Sequence, residues 1–202
     1  MNKEIISRIR ELGGTTKSAS SLQEFLQGIE FNHPLYPKEN WGNELYGVDD
    51  FYDDNKKLYK QNKDKFYERL MEHFFSDHEI PCGQMFYRKR LFTPLTKGTT
   101  DFEEWGDDFE DEEMTNLSEV KKVVGSGSLE FMEIAYSYGF PDGYYICLSD
   151  PNPQNPTVFG TDHEVFFEEI TNEGAFEEFL KRFYAPSEFL EVVKDYIEEE
   201  KR

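Results

Sequence analysis

The run Tyr144-Tyr145-Ile146-Cys147-Leu148 holds five apolar or aromatic side chains in succession, with no charge among them. A half-exposed strand alternates apolar with polar residues, so an unbroken run of this length suits a strand covered on both faces. Turn chemistry brackets it. Gly139-Phe140-Pro141-Asp142-Gly143 precedes it, and Asp150-Pro151-Asn152-Pro153-Gln154-Asn155-Pro156, which forbids regular structure, follows. Working outward, strands are predicted at 84–92, 129–138, 143–149, 156–160 and 164–169. The 129–138 segment can also be read as helical.

Helical spacing appears at both ends of the chain. Ile5, Ile6, Ile9 and Leu12 recur at helical intervals and stop at Gly13-Gly14, a pair suited to a left-handed cap. Ser21-Leu22-Gln23-Glu24 has the spacing with which a hydroxyl and a carboxylate cap each other's backbone N–H groups. Helices are thus predicted at 2–12, 21–29, 55–75, 174–183 and 187–200, with Phe176, Phe179 and Leu180 in the core. The 55–75 helix carries Lys56, Lys57, Lys60, Lys63, Lys65 and Arg69 on its outer side. Residues 31–54, with Pro34, Pro37, Gly42 and Gly47, read as an ordered loop pinned by Trp41, Tyr46, Phe51 and Tyr52. No repeat of 20–50 residues is visible.

Composition narrows the class. The 202 residues suffice for one domain with a full core. A hydrophobic share of 37% becomes roughly 44% with glycine included, near the ~45–50% of globular chains. With 42 acidic against 22 basic side chains, the net charge of −20 repels phosphate backbones, which argues against direct nucleic-acid binding. No run approaches the roughly 18 apolar residues of a membrane span. Two cysteines, Cys82 and Cys147, and the lack of a charged-then-apolar opening point to a cytoplasmic protein without a disulfide scaffold.

Catalytic motifs are absent: there is no phosphate loop, H-E-x-x-H, paired C-x-x-C or nucleophile elbow. His163 stands between Asp162 and Glu164, but in an extended segment neighbouring side chains point to opposite faces and do not converge on one ion. His73 and His78 are five apart, off the spacing of a helical ligand pair. Cys147 reads as a small core hydrophobe, and Cys82, between Pro81 and Gly83, has no base nearby. The expectation is a protein with no enzyme activity, no cofactor and no metal.

Asp101 to Glu113 contains nine acids in thirteen residues and no base. It can be a solvated loop. Its aromatics Phe102, Trp105 and Phe109 fall at helical spacing, so a helix there gathers them into one strip. The strip either packs on the protein's own core or serves a basic partner. In the second case Trp105 and Phe109 are apolar anchors, and Asp107, Asp108, Glu110, Asp111, Glu112 and Glu113 form the charged rim. Without all nine acids the chain would still carry −11, so long-range attraction of a basic protein does not depend on this segment alone.

The order Tyr144 to Asp150, a Pro/Asn loop, Val158-Phe159, Asp162-His163-Glu164 and Ala175-Phe176-Glu177-Glu178-Phe179-Leu180 resembles the C-terminal half of the SUKH superfamily, over residues 129–183. That superfamily includes bacterial immunity proteins and the fungal cell-wall synthesis regulators. The resemblance implies an α+β single domain, a curved and mostly antiparallel sheet flanked by helices, spanning residues 1–202 with a divergent or expanded region at 31–128. Leu22-Gln23-Glu24-Phe25-Leu26-Gln27-Gly28 is only a loose echo of the family's opening. In function it implies an immunity protein or antitoxin that neutralises a basic toxin domain, in many cases a nuclease. A regulatory scaffold of the cell-wall type and an acidic nucleic-acid mimic are the alternatives. The acidic balance agrees, because a nuclease presents a basic surface to phosphates.

Overall fold

The computed structural model describes residues 2–38, 47–76, 84–111, 113–125 and 129–200. Trp41, Gly42, Tyr46, His78, Pro81, Cys82, Gly83 and Glu112 lie outside the described residues. Five strands form one open antiparallel sheet in the order β1-β2-β3-β4-β5. They are β1 (Met85–Phe92), β2 (Phe131–Ser137), β3 (Gly143–Cys147), β4 (Thr157–Thr161) and β5 (Thr171–Ala175). Every strand pairs with its neighbour in sequence. β3 takes the centre with all five of its residues buried, and Leu148, the last of the apolar run, is half-buried beyond it. The fold is a single α+β domain, as the element pattern predicts.

The side-chain period of two sorts β3 between two cores. Tyr144 and Ile146 join Met132, Ile134 and Val158 on one face, under α1 (Lys3–Glu11), α2 (Leu22–Gln27) and α7 (Phe176–Lys181). Phe176, Phe179 and Leu180 are buried there. Tyr145 and Cys147 join Phe131 and Phe159 on the other face, under α5 (Thr100–Glu110) and α6 (Ser118–Val124). A third cluster lies among α3 (Val48–Gln61), α4 (Lys63–Phe74) and α8 (Pro186–Glu200), around Tyr36, Phe66, Phe74 and Phe189. Tyr36 ties this cluster together by donating its hydroxyl to the Phe74 carbonyl at 2.5 Å.

The caps follow local chemistry, with one shift. Gly13 takes φ +86° after α1, the left-handed cap expected of it. Ser21 accepts the Glu24 N–H at 3.2 Å, but the Glu24 carboxylate reaches one residue further back, where the Ser20 N–H and hydroxyl both donate to it.

Three expectations are corrected. The predicted 55–75 helix is two helices, because Asn62 leaves the helical region (φ −157°) and its side chain caps α4 by accepting the Lys65 N–H at 3.0 Å. Part of the predicted 31–54 loop is the first turns of α3, which bury Val48 and Tyr52 in the third cluster. The strand predicted at 164–169 is a turn followed by a 3-10 turn at Phe166–Glu168, and the fifth strand is the polar segment Thr171–Ala175. Here Thr161 decides: its hydroxyl lies 2.6 Å from the Phe166 carbonyl and 2.9 Å from that of Glu169. The turn turns Phe166 and Phe167 into the same core, which a strand does not do with adjacent residues. Among the described residues no helix is long and apolar enough to cross a membrane.

Candidate functional site

Residues 101–110 of the acidic segment lie on the helix α5, whose start is fixed by side-chain hydrogen bonds. Thr99 accepts the Phe102 N–H, and its own hydroxyl donates to the Thr93 carbonyl at 2.8 Å. Asp101 turns back to accept the Thr93 N–H at 2.8 Å and its hydroxyl at 3.1 Å, and it pairs with Arg90 at 3.5 Å. Gly106 is buried where the helix packs beside the Pro94 carbonyl.

The aromatic strip packs on the protein's own sheet. Phe109 is 7% exposed, its ring centroid 5.6 Å from that of Phe92 and 5.1 Å from that of Phe167. Trp105 is half-buried and lies 5.1 Å from Phe166. The strip therefore fastens α5, and Phe109 offers no surface to a partner. The carboxylates face outward: Glu103, Glu104, Asp107, Glu110, Asp111 and Glu113 are exposed, and Asp108 is half-buried. Glu112 lies outside the described residues.

Two residues that sequence reading missed extend this surface. Asn116 donates its backbone N–H to the Phe167 carbonyl at 2.7 Å, which holds the chain after α5 beside the 3-10 turn. Glu168 and Glu169 thereby share a shallow depression with Glu113, Thr115, Asn116 and Lys121. They are 55 residues or more from Glu113 in sequence, and no local pattern could have brought them together. Among the described residues, no Lys or Arg nitrogen comes within the 4.0 Å of an ion pair with Glu103, Glu104, Asp107, Asp108, Glu110, Asp111, Glu113, Glu168 or Glu169.

A second polar cluster forms where β3 and β4 end. Gly143 and Thr161 are cross-strand partners, so Asp142 and Asp162, the next residues outward, leave the sheet side by side. Gly160 allows the approach, since a Cβ there would sit 2.6 Å from Pro141 Cγ. Residues 163–165 form a turn, which removes the premise of an extended segment. His163 Nδ1 lies 2.5 Å from Asp142 Oδ2 and 3.6 Å from Asp162 Oδ1, and its backbone N–H donates to Asp142 Oδ1 at 3.1 Å. The hydrogen bond to Asp142, then its charge, hold the His163 imidazolium above the usual histidine range. Glu164, the third member of the sequence triplet, contributes its backbone N–H to Asp162 at 3.0 Å and no donor atom to this cluster.

The other singled-out groups have structural surroundings. His73 packs on Phe51 and Phe74. Cys147 is fully buried, and burial pushes its thiol up. Compared with protein-family models, with curated proteins and with solved structures, the chain matches none. Fold and surface together define the class: an α+β domain carrying a firmly mounted helix whose outward carboxylates have no Lys or Arg partner among the described residues.

Proposed function

We propose that this protein is an immunity protein or antitoxin that occupies the basic surface of a toxin domain and blocks it by occlusion, without chemistry. The observation that carries the reading is the set of carboxylates on α5 and the adjoining turn that have no Lys or Arg partner among the described residues. A carboxylate already paired in its own chain gives little to a partner, whereas an unpaired one on an ordered helix is available at no cost in rearrangement. The likeness of residues 129–183 to SUKH proteins supports the immunity role, and the −20 charge supports a basic target. The rim on this reading is Asp107, Asp108, Glu110, Asp111, Glu112 and Glu113, and Trp105 contributes through its half-exposed edge.

The test is co-expression with any basic toxin domain found encoded beside its gene, followed by stopped-flow association of the purified pair. Association should be fast at low salt and slow as the Debye length falls toward ~8 Å at physiological ionic strength. Replacing the six rim acids by Asn or Gln should slow association about tenfold or more while the dissociation rate changes little. A complex whose association rate ignores both salt and these six residues would place recognition elsewhere, and no complex at all would remove the immunity role.

A further inference from the structure

The cluster at the ends of β3 and β4 has no part in that reading, and it has the composition of a metal site. The carboxylates of Asp142 and Asp162 and the imidazole of His163 each bring one donor atom, and all three atoms lie within 4.8 Å of one another. Zinc bound by nitrogen and carboxylate oxygen at ~2.0–2.2 Å needs its ligand atoms only slightly redistributed from such an arrangement. Two of the three side chains are largely withdrawn from water: Asp162 is 10% and Asp142 22% exposed, against 75% for His163.

Among the described residues no Lys or Arg nitrogen lies within ion-pair distance of either carboxylate, and the only basic side chain there is His163. Two carboxylates and an imidazole that converge at one point are a donor set of the kind that holds a cation. The register delivers the carboxylates on adjacent strand ends, and the turn after Asp162 swings the ring over them.

We infer that Asp142, Asp162 and His163 form a binding site for a divalent transition metal of the Zn2+ class, with the solvent side of His163 leaving a further position to water. Binding replaces the hydrogen bond between His163 Nδ1 and Asp142: the Nδ1 proton goes to solvent, and the neutral ring keeps its proton on Nε2. The ion then clamps the β2–β3 turn to the turn that follows β4.

The experiment is titration of the EDTA-dialysed full chain with ZnCl2 by calorimetry, with bound zinc counted by elemental analysis after desalting. One saturable zinc per chain is expected, with a rise in the thermal midpoint. His163→Ala and Asp162→Asn should each weaken binding at least about tenfold; Asn keeps the acceptor for the Glu164 N–H, so the turn is preserved. Glu164→Gln should bind as the parent does, and the His163 ring resonances should move on zinc addition. Circular dichroism of each variant confirms folding. Non-saturable uptake, or uptake equal in His163→Ala and the parent, overturns the site.

Discussion

The two faces of the sheet are alike inside and opposite outside. Each buries large aromatic side chains against β2, β3 and β4. On the first face charges of the covering helices are ion-paired, within their own helix or with the neighbouring α8 and β5. Lys181 pairs with Glu177 and Glu178, Arg8 with Glu11 and Glu188, and Arg182 with Glu173. On the second face α5 meets the sheet through Trp105 and Phe109, yet its outward acids have no such partners among the described residues. A helix that only had to cover a core would gain by pairing those charges or omitting them. Concentrated like charge lowers the stability of the compact state, so the acids of α5 cost stability that the ion-paired charges of the first face do not.

Deleting a central ring from either face is the harshest way to test the inner likeness. Phe179→Ala on the first face and Phe167→Ala on the second should each cost about 3–5 kcal/mol in urea denaturation. A loss under about 1 kcal/mol at Phe167 would show that α5 and the 3-10 turn rest on no real core. Trp105→Ala sharpens the boundary between mount and surface. Because the indole is half-buried on Phe166, it should destabilise by about 1–3 kcal/mol, less than Phe167→Ala. Loss of partner binding with unchanged stability would instead make the ring an interface anchor. The smallest effect tests the outer contrast. Neutralising Glu103, Glu104, Asp107, Asp108 and Glu110 should hold or raise the thermal midpoint at low salt, whereas Glu177→Gln with Glu178→Gln should lower it. Both differences should shrink as salt increases; the same sign on both faces would break the comparison.

Much of this architecture was legible because it rests on near neighbours. Tyr144 to Cys147 announced a central strand through unbroken apolarity, and Gly13 announced its cap because glycine enters the left-handed conformation without the penalty other residues meet. The misreadings share a cause. Val165-Phe166-Phe167 has the residue types of a strand, but Thr161, four residues earlier, bonds two carbonyls and folds the segment into a turn. Thr171–Ala175 has no strand character, and pairing with β4 makes it one. Asn62 gave no break in apolar periodicity, only a side chain able to cap the following helix.

The candidate sites divide in the same way. The sequence by itself determined the acidic excess, the aromatic spacing of α5 and the two-faced central strand, since each depends on composition or on periods of two and 3.6 residues. Only the tertiary structure decided which way the aromatic strip of α5 faces, that Glu168 and Glu169 join Glu113, and that Asp142 meets Asp162 and His163. Those outcomes depend on strand register and on turns closed by single side chains, and a register is fixed by the packing of the whole sheet rather than by any residue's neighbours in the chain.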